Sequence, residues 1–155
     1  MIGAGGPRVS VVIPAYNEGE NIVAPLARLI EGVQLDFEVV VVVDFPEDTT
    51  IPVIERLSQA EPRIRVVVST YGRGPANAIR FGIDAAIAPT VVVTMADGCD
   101  DPRQIDELVR LVGRVVVVVL VVVVGLGAVT TGAGAVELAG TSVRAGCAAV
   151  SRFAS

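Results

Sequence analysis

The sequence contains no histidine, tryptophan or lysine, and its 155 residues include only two cysteines, Cys99 and Cys147. Without histidine, the chain cannot form a Ser–His–Asp triad, a Cys–His dyad or a histidine zinc site. The cysteines are far apart and have no metal-binding spacing, which fits a reducing compartment. The glycine-rich first seven residues lack the apolar core of a signal peptide, so we predict a cytoplasmic location.

Positive charge is also scarce. Twelve arginines face seventeen aspartates and glutamates, which gives a net charge of −5. The arginines occur singly, and binding by phosphate neutralisation needs basic clusters, so we predict no nucleic-acid partner. A chain that is 52% hydrophobic and 19% charged is neither a disordered tail nor a coiled coil.

The charged residues are unevenly distributed along the chain. Residues 1–114 hold ten of the twelve arginines and sixteen of the seventeen acidic residues, whereas residues 115–155 hold the remaining two arginines and one glutamate. We therefore predict an α/β domain over residues 1–114, followed by a tail rich in Val, Gly and Ala over residues 115–155.

Short apolar runs alternate with helical patterns in the first part. The predicted strands are Val9–Ile13, Phe37–Val43, Ile64–Val68 and Val91–Met95, and the predicted helices are Glu20–Glu31, Ile51–Ala60, Gly74–Ala88 and Pro102–Val112. Strands that are apolar on both faces and alternate with helices predict a Rossmann-like parallel sheet with helices on both faces. We expect the sheet to be ordered around Val39–Val43 and Val91–Met95.

Ligands of such sheets bind beyond the carboxyl ends of the strands. This rule selects four polar loops, which are Ala15–Gly19, Asp44–Thr50, Ser69–Gly74 and Ala96–Asp101. In the first loop, Tyr16 and Glu18 can stack on a base and accept a hydrogen bond from its edge. Alternatively, Asn17 caps the next helix. In the second loop, Asp44 can bind a base or ribose, whereas Asp48 is predicted to cap a helix.

The third and fourth loops have the composition of phosphate and metal sites. Arg73 lies between two glycines at a helix start, which suits a diphosphate or, equally, a flexible turn. Asp97 together with Asp100 or Asp101 can hold Mg²⁺ or Mn²⁺, which prefer oxygen ligands. Alternatively, Asp101 caps the next helix and Asp100 interacts with its dipole, which leaves Asp97 unexplained.

The loops also match a family pattern. Their motifs are Ile13-Pro14-Ala15-Tyr16-Asn17-Glu18, Val43-Asp44 with Pro46-Glu47-Asp48-Thr49, Arg73-Gly74, and Ala96-Asp97 with Asp101-Pro102. From about Val9 to Leu111 the chain resembles the inverting family 2 glycosyltransferases, most closely the dolichyl-phosphate mannosyltransferase-like branch. The resemblance implies the nucleotide-binding half of a GT-A fold, in truncated form.

The resemblance further implies transfer of a sugar from a nucleoside-diphosphate sugar, with Mg²⁺ or Mn²⁺ as cofactor. A polyprenyl phosphate or another acceptor would receive the sugar, which allows association with the cytoplasmic face of a membrane. The predicted nucleotide-binding residues are Pro14, Tyr16, Glu18, Asp44 and Arg73, and the predicted metal ligand is Asp97. We assign no catalytic residue.

Two positions depart from the family pattern. Met95 replaces the first Asp of the Asp-x-Asp metal motif, and Phe45 replaces the second Asp of the Asp-Asp pair. One metal carboxylate and one nucleotide carboxylate are therefore absent. We expect this chain to bind a nucleotide sugar weakly and to transfer the sugar inefficiently.

The tail begins with nine valines and one leucine over Val115–Val124, and no charged residue occurs from Val115 to Val136. Because the run is β-branched and then glycine-rich, we favour one strand that closes the sheet, followed by a low-complexity segment. A membrane helix and a disordered or aggregating segment are the alternatives. The tail is unlike the continuation that the resemblance implies, and a truncated or frame-shifted reading frame is our hypothesis for that.

Two other functions compete with a glycosyltransferase. A non-catalytic nucleotide-binding or structural remnant of such an enzyme is favoured by Met95 and by the unmatched tail. A Rossmann-type oxidoreductase would need a glycine-rich turn after the first strand, where this chain has Pro14-Ala15-Tyr16 instead.

Overall fold

The computed structural model describes residues 5–112 and 119–121. The strands are β1 (Val9–Pro14), β2 (Phe37–Val43), β3 (Ile64–Val68), β4 (Thr90–Val93) and β5 (Val119–Val121). The helices are α1 (Val23–Gly32), α2 (Thr50–Ala60), α3 (Pro75–Ala85) and α4 (Gln104–Val112), with a 3₁₀ turn over Gly19–Ile22 before α1.

The strands form one sheet in the order β3-β2-β1-β4-β5, and every neighbouring pair is parallel. The predicted Rossmann-like parallel α/β sheet is therefore confirmed. The expected centre is wrong, because β1 lies between β2 and β4. Hydrophobic periodicity identifies a strand but carries no information on its neighbours. Strands β2 and β3 follow β1 on one side of the sheet, and β4 and β5 lie on its other side. Open α/β sheets commonly bind ligands at such a switch point, here between β1 and β4.

Valines fill both faces of the sheet. Val11, Val39 and Val41 belong to a core cluster that also contains residues of α1, α2 and α4. The alternate residues Val12 and Val40 belong to a second cluster, which contains residues of α3. The doubly apolar strands thus reflect helices packed on both faces, as expected of a parallel sheet.

Helix ends differ from the predicted ones for local reasons. Helix α1 begins at Val23, so Pro25 lies in the first turn, where an N–H has no partner within the helix. Helix α3 ends at Ala85 rather than Ala88, because the N–H groups of residues 87 and 88 donate instead to the side chains of Glu38 and Ser10.

The short strand β5 lies within the predicted strand Val115–Val124 and pairs with β4 in parallel. The remainder of that predicted strand and the predicted low-complexity segment lie outside the described residues. The domain boundary at residue 114 therefore stays a prediction. Within residues 5–112 and 119–121, no helix is both long enough and apolar enough to span a membrane.

Candidate functional site

The four polar loops follow β1, β2, β3 and β4, so the parallel sheet places them at its carboxyl edge. Three of them contribute to one surface cluster. The Tyr16 ring, 57% exposed, meets the Phe45 ring edge-on with a centroid separation of 5.7 Å. The Arg73 guanidinium carbon lies 5.4 Å from the Phe45 ring centroid, within the range of a cation–π contact. We refer to these residues as the Tyr16–Phe45–Arg73 cluster.

Phe45 is a residue to which the sequence assigned no role. In the sequence it is only the residue that stands in place of a carboxylate, yet in the structure its ring contacts both Tyr16 and Arg73. The available signal was its position, directly after Asp44 at the end of a buried strand. At this position the chain therefore has an aromatic ring where the family pattern has a carboxylate.

The carboxylate of Asp44 has one satisfied oxygen and one unsatisfied oxygen. Its Oδ2 accepts a hydrogen bond of 2.9 Å from the backbone N–H of Gly74, at the start of α3. Its Oδ1 is buried and has no hydrogen-bond partner, which holds for no other buried side-chain N or O atom of the described residues. Because burying an unpaired acceptor costs free energy, this atom is suited to a donor group from a ligand.

Asp48 joins the first two loops. It is 1% exposed, its Oδ2 accepts from the N–H of Asn17 at 2.9 Å, and its Oδ1 accepts from the N–H of Thr50 at 2.8 Å. Asp48 therefore binds the first N–H of α2, although the N-cap residue is Thr49, whose side chain makes no capping hydrogen bond. Asn17 does not cap the helix that follows it, because its Oδ1 accepts instead from the N–H of Thr49 at 3.3 Å. These bonds fix the first loop against the second.

Glu18 lies close to two other acidic residues. Its own N–H donates to Thr50 Oγ1 at 3.1 Å, which holds its backbone against α2. Burial, followed by the negative charges of Asp97 and Asp48, raises the pKa of Glu18 above its ordinary value. The first and fourth loops therefore place their carboxylates near each other, where a cation would relieve their repulsion.

The acidic residues of the fourth loop have separate partners. Asp97 is exposed, and its Oδ1 accepts from the N–H of Cys99 at 3.0 Å. Asp100 accepts from the Thr94 hydroxyl and, at 3.4 Å, from the N–H of Met95. Asp101 pairs with a neighbouring arginine of its own turn at 2.9 Å, and this hydrogen bond lowers the pKa of Asp101.

Asp100 and Asp101 are thus both hydrogen-bonded within the loop, and the pairing of either with Asp97 around a metal stays a prediction. In the part of the chain that is described, no three or more His, Cys, Asp or Glu side chains form a metal cluster. Asp97 alone still fits a Mg²⁺ or Mn²⁺ ion that takes its other ligands from water and substrate phosphates. Pro14 is buried at the end of β1 and shapes the first loop.

The chain is similar to several known proteins. Residues 10–138 match Glycosyl transferase family 2. A dolichol-phosphate mannosyltransferase of Pyrococcus furiosus is 34% identical over 106 residues, which cover 68% of this chain and 30% of that protein. Glycosyltransferase AglD of Haloferax volcanii is 34% identical over 114 residues, which cover 70% of this chain and 18% of that protein.

A solved structure is similar as well. The mannosyltransferase PcManGT from Pyrobaculum calidifontis, in complex with GDP-Man and Mn²⁺, matches with a TM-score of 0.56 and 32% identity over 68% of this chain and 31% of that one. The chain thus spans less than a third of the length of these relatives. The family match reaches residue 138, so it continues through the valine-rich run that the resemblance from Val9 to Leu111 left out.

Proposed function

Because this chain belongs to glycosyl transferase family 2, we propose that its carboxyl-edge loops bind the nucleoside-diphosphate sugar of a sugar-transfer reaction. The observation that carries the proposal is the buried, unpaired Oδ1 of Asp44. The N–H groups of bases and the hydroxyls of ribose are donors of the kind that this oxygen lacks.

The Tyr16–Phe45–Arg73 cluster supplies the remaining contacts to the nucleotide. The exposed Tyr16 ring and the half-buried Phe45 ring offer stacking surface to a base, whichever base it is. Arg73 lies near the end of the loop before α3. Its guanidinium and the N-terminal backbone of α3 both favour a diphosphate. Pro14 and Glu18 complete the nucleotide site by shaping and lining the first loop.

Asp97 is the proposed metal ligand, and Mg²⁺ or Mn²⁺ bound there would stabilise the negative charge that develops on the leaving diphosphate. Burial, and after it the negative charges of Asp97 and Asp48, raise the pKa of Glu18, and the nearness of these carboxylates supports a cation site there. Because Met95 offers no carboxylate, we expect the metal to bind weakly in the absence of nucleotide.

The acceptor is proposed to be a polyprenyl phosphate, by analogy with the dolichol-phosphate mannosyltransferase relative. A phosphate oxygen is already anionic, so its attack on the sugar needs no strong general base. We expect this chain alone to transfer sugar inefficiently, because it spans less than a third of its relatives' length. Rapid, multiple-turnover transfer to a polyprenyl phosphate would contradict that expectation.

Titration calorimetry on the full chain, shown to be monodisperse by light scattering, tests the nucleotide site. Asp44→Ala is expected to weaken GDP or UDP binding by about tenfold or more, with or without Mn²⁺, because a charged acceptor is lost. Asp97→Asn is expected to weaken binding mainly when Mn²⁺ is present. Glu55→Gln, at an exposed position on α2, is the control and should bind like wild type. Unchanged affinity in both site variants would refute the assignment.

A non-catalytic nucleotide-binding remnant is the second candidate, and Met95 at the metal motif favours it. Both candidates require Asp44 to bind nucleotide, but they differ in the role of the metal. In the remnant, Mn²⁺ would leave nucleotide affinity unchanged and Asp97→Asn would have no effect. A metal-dependent gain in affinity supports the enzyme.

A further inference from the structure

The loop that carries Asp97, residues 94–101, is held closed at its base. Asp100 accepts hydrogen bonds from the Thr94 hydroxyl and the Met95 N–H, which join the two ends of the loop. At the tip, Gly98 adopts a left-handed conformation with φ +68°. Asp97 immediately precedes this glycine, so the position of its carboxylate depends on how the tip is held.

Helix α1 holds the tip. The Arg28 guanidinium donates through Nη1 to the carbonyl oxygen of Gly98 at 2.5 Å. A Cβ placed on Gly98 would lie 3.1 Å from Pro25 Cγ and 3.5 Å from Arg28 Nη1. The backbone of the tip therefore packs against the Pro25 and Arg28 side chains of α1.

The same peptide group connects Arg28 to Asp97. The carbonyl of Gly98 and the N–H of Cys99 belong to one planar unit. Arg28 binds the oxygen of that unit, and the N–H donates to Asp97 Oδ1 at 3.0 Å. A positive charge on the oxygen polarises the peptide and strengthens the bond that its N–H makes. Guanidinium, peptide and carboxylate thus form one hydrogen-bonded chain.

We propose that Arg28 is a positioning residue for Asp97, fixing its carboxylate in the orientation that a metal bound with the nucleotide requires. The proposal rests on the proposed metal role of Asp97. Arg28 lies on α1 and is not one of the predicted nucleotide or metal residues. Groups that orient metal ligands in this way commonly change metal affinity by about 10- to 100-fold when they are removed.

A positioning role and a purely structural role of Arg28 differ in what its removal changes. A structural role would lower the melting temperature and the metal-free nucleotide affinity. Arg28 is exposed, and a single exposed contact contributes little to global stability. Removing the guanidinium should therefore leave the melting temperature and the metal-free nucleotide affinity unchanged. Only the gain in nucleotide affinity that Mn²⁺ provides should be lost.

The test uses titration calorimetry of GDP on the full chain, once in EDTA and once in Mn²⁺, together with thermal melting. Arg28→Met keeps the aliphatic stem and is expected to reduce the Mn²⁺-dependent gain by about tenfold. Arg28→Lys keeps the charge and should recover part of it. Arg80→Met, at an exposed arginine on α3, is the matched control and should retain the full gain.

The outcomes separate this proposal from the one it rests on. If Arg28→Met retains the Mn²⁺-dependent gain, or loses melting temperature and metal-free affinity in parallel, Arg28 does not position Asp97. If the wild-type chain shows no gain with Mn²⁺ at all, the metal role of Asp97 is wrong and the role of Arg28 falls with it.

Discussion

Strand β2 has an acidic residue near each of its ends, and the two residues differ in how they are satisfied. Glu38, near the amino end, is 5% exposed and accepts from the Ser10 hydroxyl, the Ile87 N–H at 2.8 Å and Arg65 Nε at 3.0 Å. Asp44, just past the carboxyl end, accepts one bond and leaves the buried Oδ1 unpaired. The two carboxylates therefore differ in hydrogen bonding, and this difference is why Asp44 and not Glu38 is the proposed ligand site.

The two edges of the sheet explain the difference. At the amino edge, the connection from α3 to β4 passes next to Glu38 and supplies one backbone N–H to Glu38 and one to the Ser10 hydroxyl. At the carboxyl edge, where ligands of open α/β sheets commonly bind, no backbone or side-chain donor in the described part of the chain reaches Asp44 Oδ1. A carboxylate thus serves the fold at the amino edge, and at the carboxyl edge it is the proposed nucleotide ligand.

The largest expected effect is on stability, at the amino edge. Glu38→Ala should lower the free energy of unfolding by about 3 kcal/mol, because the Ser10 hydroxyl and the Ile87 N–H lose the buried carboxylate that accepts from them. Chemical denaturation of the full chain measures this loss.

The matched variant at the other edge is Asp44→Ala. It removes one hydrogen bond but also removes an unpaired buried oxygen, so we expect a change in the free energy of unfolding within about 1 kcal/mol. Equal losses in the two variants would break the distinction between the edges.

A smaller effect is expected from the aromatic part of the site. Phe45→Ala removes the ring between Tyr16 and Arg73, so GDP should bind about five- to tenfold more weakly, as expected for the loss of a stacking surface. Ile87→Ala, an exposed apolar truncation at the amino edge, is the control in the same calorimetric titration. Wild-type affinity in Phe45→Ala would show that the cluster does not contact the nucleotide.

The smallest effect concerns pH. Because the pKa of Glu18 is raised in the folded chain, its contribution to stability is present below its ordinary value of 4.5 and is lost as the pH rises through the folded value. In EDTA, Glu18→Gln should therefore become more stable relative to wild type as the pH increases above 4.5. Denaturation curves across this range measure the trend, and a constant difference would contradict it.

Part of this arrangement could be predicted from the sequence. The valine-rich runs specify strands with two buried faces, and the placement of polar loops after them indicates the binding edge. Asp44 stood out because a carboxylate that ends a buried strand has no evident structural task. A local capping rule relates Asp48 to α2, and its carboxylate does bind the first N–H of that helix, from one residue before the N-cap position.

The remainder depends on contacts between distant parts of the chain. Helix α3 ends early because Glu38, 49 residues before Ile87 in sequence, captures its N–H. The contact of Arg28 with the fourth loop spans 70 residues and leaves no local pattern. The partners of Asp100 are close in sequence, but the sequence left open whether Asp100 binds a metal or interacts with a helix dipole. The folded loop shows instead that it accepts a hydrogen bond from the Thr94 hydroxyl.

A crystal structure of the full chain with GDP and Mn²⁺ tests the central claim most directly, because it shows whether the unpaired oxygen of Asp44 is a ligand site. We predict that Asp44 Oδ1 lies within hydrogen-bond distance, about 2.7–3.2 Å, of a donor on the base or ribose. A nucleotide bound elsewhere, or one bound at this edge with Asp44 Oδ1 still unpaired, would contradict the account.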